Sequence, residues 1–289
     1  MDNRCTVLVN SCDKYEEAWL PFFSLLKKYW PQCEFQLAIN TETKIFENNW
    51  GIITYNSNEK TWGRRLFECV NQIHTPFILC MLEDFFIQRD VLHEEIIRCI
   101  SNMEKDDRIG VVYFNKISGY TMVSDEYPDY IEMKWEETND TIGTDGTKSS
   151  QTNPLYMFNC QAAIWRKELL LEACQRCASP WEFEEHGFEK ADPMVRRYKY
   201  FCSKTTRYDK LREGDVFGYL LIRSTGYGIW RSKWLWNNKK LFRREGIKCE
   251  CKTLPTVSWF RYYMDCYVKA VIKKITGLIH NVVSIWGLL

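Results

Sequence analysis

The chain has 289 residues, 45% of them hydrophobic and 15% aromatic, so it has enough apolar material for one large domain, or roughly one and a half, packed without staples. Thirteen cysteines, an odd number scattered through apparent core segments, read as reduced thiols, and Met1-Asp2-Asn3-Arg4 runs straight into Thr6-Val7-Leu8-Val9 with no basic, apolar leader. Both features argue against secretion and for a cytoplasmic protein. A net charge of +1 hides a split: residues 195–289 carry 20 Lys and Arg against 6 Asp and Glu, and the rest of the chain is acidic, which points the basic part at an anionic partner.

The amino-terminal segment alternates strands and helices. Strands are expected at Thr6 to Asn10, Phe35 to Ile39, Ile52 to Tyr55, Phe77 to Leu82 and Ile109 to Phe114. Helices fall between them, at Tyr15 to Tyr29, Arg64 to Ile73 and about Val91 to Met103. That alternation predicts a parallel sheet with right-handed crossovers. From about 119 to 154 the periodicity fails and turn formers dominate, so a long mobile loop is expected. Order resumes with a strand at Leu155 to Phe158, then Ala162-Ala163-Ile164-Trp165 leading into a helix at Lys167 to Cys174. The resulting division is a nucleotide-binding part over about 1–118, the loop over about 119–154, a second part over about 155–256 that a transferase would use on its acceptor side, and a carboxyl-terminal amphipathic helix over 257–289. In that helix Arg261, Asp265, Lys269 and Lys273 form a polar stripe opposite Phe260, Tyr263, Tyr267 and Val271. It reads either as an interfacial membrane helix, with Lys269, Lys273 and Lys274 near lipid head groups, or as a helix packed on its own domain or across a homodimer.

The run Phe77-Ile78-Leu79-Cys80-Met81-Leu82 ends in Glu83-Asp84, which puts two acids at the carboxyl end of a buried strand, where open α/β sheets bind ligands. Hard carboxylates there suit Mg²⁺ or Mn²⁺, with Asp84 as the ligand and Glu83 beside it; strand alternation predicts that only one of the two points at the metal. Asp13, just past the first strand, is a candidate for a ribose or base donor, or else an N-cap. Arg64 and Arg65 open a helix and are candidates for phosphate, as are Arg231 and Lys233 in an aromatic, basic segment. Ser179-Pro180-Trp181-Glu182-Phe183-Glu184 combines a capping box with a tryptophan beside carboxylates. Trp181 can stack on a sugar ring, and Glu182 or Glu184 can act as a general base. Cys174, Cys177, Cys249 and Cys251 could in principle supply a zinc tetrahedron, but their spacing favours unligated thiols. His186 reads as a surface residue. No nucleic-acid module is recognisable.

Four features resemble a family of bacterial glycosyltransferases from capsule and surface-polysaccharide gene clusters. They are Val7-Leu8-Val9-Asn10-Ser11-Cys12-Asp13-Lys14-Tyr15, Trp30-Pro31, the acidic strand end Glu83-Asp84, and Ser179-Pro180-Trp181-Glu182-Phe183-Glu184. The resemblance covers about the first two thirds of the chain. It implies an α/β, GT-A (Rossmann-like) nucleotide-sugar-binding sheet flanked by helices, with residues 1–256 as the transferase domain. It also implies a nucleotide-sugar donor, commonly a UDP-sugar, a divalent metal (Mn²⁺ or Mg²⁺) without organic cofactor, and a glycan or lipid-linked acceptor at the inner face of the cytoplasmic membrane. One position departs from the family's Asp-any-Asp metal motif, whose first acid would fall at Leu82. The expected chemistry is an inverting single displacement. A retaining transferase, a nucleotidyltransferase and a noncatalytic glycan-binding scaffold are the alternatives.

Overall fold

A computed structural model describes residues 1–134, 156–204, 215–219 and 228–268. Eight strands form one sheet in the order β3-β2-β1-β4-β7-β5-β8-β6. These are β1 (Asp2–Asn10), β2 (Phe35–Thr41), β3 (Ile53–Asn56), β4 (Phe77–Leu82), β5 (Ile109–Tyr113), β6 (Tyr130–Glu132), β7 (Ala163–Arg166) and β8 (Lys199–Ser203). Strands β3, β2, β1 and β4 are parallel, as the β–α alternation predicts. The fold is α/β with a Rossmann-like half, and its chain order reverses between β1 and β4.

The all-parallel expectation fails beyond β4. Strand β7 lies between β4 and β5 and is antiparallel to both, and β6, which precedes it in the chain, is antiparallel to β8. One sheet therefore draws strands from both the 1–118 and the 155–256 stretches. The expected strand at Leu155 to Phe158 is a turn where described: Tyr156 has φ 62°, and Phe158 stacks on Phe183 at 5.3 Å instead of joining the sheet. Part of the expected loop is also ordered, since β6 lies within it; residues 135–155 lie outside the described residues.

Strand alternation sorts the core into two layers. Val7, Val9, Leu79 and Met81 face one side, against α1 (Glu16–Tyr29) and α3 (His93–Lys105). Leu8, Ile78 and Val111 face the other, against α2 (Trp62–Gln72), α4 (Lys167–Cys174) and α5 (Pro180–Lys190). The two cysteine pairs fall on opposite sides of the sheet, Cys174 and Cys177 in one layer and Cys251 in the other, so no four-thiolate site assembles.

A three-stranded sheet, β9 (Ile229–Trp230), β10 (Lys233–Leu235) and β11 (Thr256–Val257), follows with α6 (Asn238–Arg244). Residues 259–268 are helical, and Arg261 pairs with Asp265 at 3.3 Å along the expected polar stripe. Tyr262 is buried against Trp230 and Trp236, whereas Trp259, Phe260 and Tyr267 are exposed. The continuation through Lys269, Lys273 and Lys274 lies outside the described residues. Among the described residues no helix is long and apolar enough to cross a membrane.

Gly63 sets how closely α2 approaches the loop before α5. Its N–H donates to Cys177 O at 3.1 Å, and an added Cβ would sit 2.0 Å from Cys174 O. Backbone atoms cannot yield as a flexible side chain can, so Gly63→Ala should destabilise the fold by about 1–3 kcal/mol, read as a lowered urea midpoint.

Candidate functional site

The carboxyl ends of β1 and β4 open into a cleft of about 570 Å³. This is the position, beside a reversal of strand order, where open α/β sheets hold ligands. Asn10, Ser11 and Cys12 leave β1 along one side of it. Gln161, Trp181 and Glu184 form a second wall, and Ile229 to Ser232 a third.

Glu83 and Asp84 sit at the base and both line the cleft. β4 ends at Leu82, and Phe85 N–H donates back to Leu82 O at 3.2 Å, so the two acids stand in a turn just past the strand. The turn is pinned from below. Phe85 stacks on Tyr219 at 4.7 Å, and Phe86 packs edge-on against Phe242 at 4.9 Å. Asp84 is fixed from the far end of the sequence, its carboxylate accepting from Ile229 N–H at 2.9 Å and its carbonyl from Gly228 N–H at 3.0 Å. Gly228 is required there, since a Cβ would lie 2.1 Å from the Phe86 ring. Burial raises both carboxyl groups above the ordinary range, and repulsion from Asp84 adds to the rise at Glu83.

The third acid of the cleft is Glu184. Capping starts α5 in the manner the sequence predicts: Ser179 Oγ accepts from Glu182 N–H at 3.2 Å, and Pro180 follows. One helical turn then brings Trp181 and Glu184 to the same wall. Trp181 is 71% exposed. Glu184 accepts from Cys160 N–H at 2.9 Å, and burial raises its carboxyl above the usual glutamate range.

Five of the predicted site residues lie elsewhere. Glu182 does not line the cleft: its carboxylate is bound by Lys190 and by Ala178 N–H, and the lysine holds it below the ordinary range. Asp13 has folded onto the loop after β2, where it accepts from the backbone N–H groups of Glu42, Thr43 and Lys44 at 3.1 Å. Arg64 pairs with Glu68 at 3.0 Å, Arg65 reaches Glu42 at 3.3 Å, and neither enters the cleft. Lys233 is paired in β10, also outside it. His186 is exposed near Glu189, as its surface reading implies. What remains together is Glu83, Asp84, Trp181, Glu184 and Arg231.

Arg231 is joined at the site by residues the sequence reading did not single out, among them Ser232, Trp62 and Gln161. Arg231 and Ser232 form a two-residue turn between β9 and β10, and both have positive φ, at 49° and 59°. Such turns normally take Asn or Gly, so this one stores strain at the rim of a cleft. Ser232 Oγ bridges to Lys14 Nζ at 2.8 Å and Tyr15 Oη at 3.2 Å, tying the turn to the segment after β1. The Arg231 guanidinium lies 4.8 Å from the Trp230 ring centre. Trp62 and Gln161 add an aromatic and an amide. A rule that looks at the last residue of each parallel strand and the one after it would have picked Asn10 and Ser11 over Asp13.

A divalent cation fits this chemistry only in part from the protein side. The buried carboxylates of Glu83 and Asp84 are hard oxygen donors, but among the described residues no group of three or more acids, histidines or cysteines converges on one point. A cation here would complete its shell with ligand phosphate and water, as Mg²⁺ and Mn²⁺ sites at phosphates commonly do.

No protein-family model matches the sequence, and no curated protein matches it. Among solved structures, the chain is similar to TarS 1-349 of S. aureus in complex with UDP-GlcNAc, at 15% identity and TM-score 0.38, covering 78% of this chain and 61% of that one. A second TarS 1-349 structure is matched at 14% identity and TM-score 0.34, over 58% of this chain and 48% of that chain. The chain thus spans about half to three fifths of these TarS structures. A cytidylyltransferase from Leptospira borgpetersenii serovar Hardjo-bovis is matched at 12% identity and TM-score 0.40, covering 76% and 81% of the two chains.

Burial of an ionisable pair sets a pH dependence. A carboxyl whose folded pKa is raised is protonated in the folded chain but ionised in the unfolded one as pH climbs above about 4.3, so its cost is absent below that pH and grows through the folded pKa. Glu83→Gln should therefore stabilise the fold at pH 7.5 by on the order of 1–3 kcal/mol, read as a raised urea midpoint, and give no gain at pH 4.

Proposed function

We propose that the protein is a glycosyltransferase that moves a sugar from a nucleotide-sugar donor, with UDP-sugars as the first class to test, to a glycan or lipid-linked acceptor. The supporting observation is the composition of one cleft at the strand-order reversal: two buried acids on the sheet side, and an exposed indole and a half-buried carboxylate, Trp181 and Glu184, one helical turn apart on the helix side. A donor diphosphate belongs near Glu83 and Asp84, with Arg231 at the rim to meet its charge. A Mg²⁺ or Mn²⁺ ion held by Asp84, with Glu83 beside it, would neutralise the leaving diphosphate.

On this reading Trp181 carries the acceptor ring on its face, and Glu184 takes the proton from the acceptor hydroxyl. Its raised pKa makes it a stronger base than an ordinary glutamate, while the hydrogen bond from Cys160 N–H still favours its ionised form. Attack on the anomeric carbon opposite the departing diphosphate inverts configuration. A membrane-surface acceptor suits the exposed Trp259, Phe260 and Tyr267, which would insert among lipid head groups, and a capsule or surface-polysaccharide role follows from the same reading.

Turnover assays with UDP-, GDP- and CMP-sugars over a panel of glycan acceptors test this. Glu184→Gln should lower turnover by about 10²- to 10⁴-fold with donor affinity retained, while Glu182→Gln keeps near wild-type turnover. Wild-type activity should fall on acidification, with a midpoint above the ordinary glutamate range. Release of pyrophosphate from a nucleoside triphosphate instead would make the protein a nucleotidyltransferase, and equal turnover in Glu184→Gln would remove the base.

A further inference from the structure

The segment Cys249-Glu250-Cys251 plays no part in the cleft, yet it brings two thiols together. Cys251 has φ 48°, a left-handed backbone that a bulky L-residue rarely adopts, and the resulting bend sets the two sulfurs 3.6 Å apart. Neighbouring bonds hold the bend in place. Lys252 N–H and Thr253 N–H donate to the Glu17 carboxylate at 2.9 and 3.0 Å, and Thr253 Oγ1 donates to it at 2.7 Å. The two thiols are unequal in access, since Cys249 is half-buried and Cys251 is 3% exposed. Cys249 S–H also points at Glu17 O, at 3.6 Å, as the S–H groups of Cys174 and Cys177 point at the carbonyls of Leu171 and Ala173.

We propose that Cys249 and Cys251 form a dithiol–disulfide exchange site for small disulfides of the glutathione type, with Cys249 as the attacking sulfur and Cys251 as the resolving one. The Cys249 thiolate attacks one sulfur of the incoming disulfide, breaking that S–S bond and releasing one thiolate. Cys251 then gives up its proton and attacks the Cys249 sulfur, closing the 249–251 disulfide and releasing the second thiolate. The chain loses two thiol protons and two electrons, and the small disulfide is reduced to two thiols. The assignment of roles follows from access and is supported by the local hydrogen bond: donation from Cys251 stabilises the Cys249 thiolate and lowers its pKa against the opposing effects of burial and the Glu17 carboxylate. The site is independent of the transfer reaction proposed above.

The flanking Lys248 and Lys252 let trypsin release residues 249–252 as one peptide, which makes the test direct. The reduced full chain is incubated with oxidised glutathione, quenched with an alkylating agent and mapped. Wild type should yield this peptide unalkylated and about 2 Da lighter than the dithiol, and dithiothreitol should reverse it. Cys251→Ser should leave glutathione attached to Cys249, with at least a tenfold larger adduct fraction than wild type, about the ratio expected when the resolving step is lost. In Cys249→Ser, Cys251 should stay unmodified in the folded chain. Two alkylated cysteines in the wild-type peptide, or an equal glutathione adduct in wild type and Cys251→Ser, would overturn the proposal.

Discussion

The structure depends on how two carboxylates are held at the end of β4. Buried acids destabilise a fold unless neighbouring groups fix and partner them, and here the partners come from far along the chain. Phe85 and Phe86 anchor the turn in the core, while the backbone N–H groups of Gly228 and Ile229 close on Asp84 from 144 and 145 residues later. This clamp joins the Rossmann-like half to the carboxyl-terminal sheet. It also fixes where the Arg231-Ser232 turn stands, because that turn begins two residues after the N–H that Asp84 binds. The third wall of the cleft is therefore held both by Asp84 and by the Ser232 bridge to Lys14 and Tyr15.

The charge split along the sequence has a partly internal explanation. Acidic groups of the amino-terminal region meet a cation of the basic region, Asp106 and Glu126 pairing with Lys199 at 3.6 and 2.6 Å. In return, Glu245 from the basic third accepts Lys28 at 2.6 Å. Much of the cation excess remains on the surface, with Arg231 brought to the acidic cleft. An anionic ligand there would sit between buried carboxylates and an exposed guanidinium, a geometry that favours a cation-bridged phosphate over a bare one.

The parallel half of the fold was legible because its strands are buried on both faces and read as unbroken apolar runs, Phe77 to Leu82 above all. The antiparallel β7 was visible as an apolar segment, but its direction depends on where a long connection re-enters the sheet, which periodicity does not encode. Strands β9 to β11 span two or three residues each and fall below any periodic signal. At the site, the acidic strand end and the capped Trp181–Glu184 turn were readable because local rules govern both. Glu182 and Glu184 could not be separated from sequence, since the capping box explains one and burial against Cys160 singles out the other. Asp13, Arg64 and Arg65 were plausible by residue type alone, and each proved to be satisfied by a neighbour: the loop after β2, Glu68 and Glu42 respectively.

The central claim is that Glu83 and Asp84 form the diphosphate end of a nucleotide-sugar cleft. Calorimetric titration of the full chain with UDP, with and without Mn²⁺, and of Asp84→Asn beside it, tests this most directly. The account predicts that UDP binds wild type at least tenfold more tightly with Mn²⁺, a difference of about 1.4 kcal/mol, and that the gain disappears in a folded Asp84→Asn. Metal-independent binding of equal strength in both proteins, or binding to neither with GDP and CMP also failing, would contradict it.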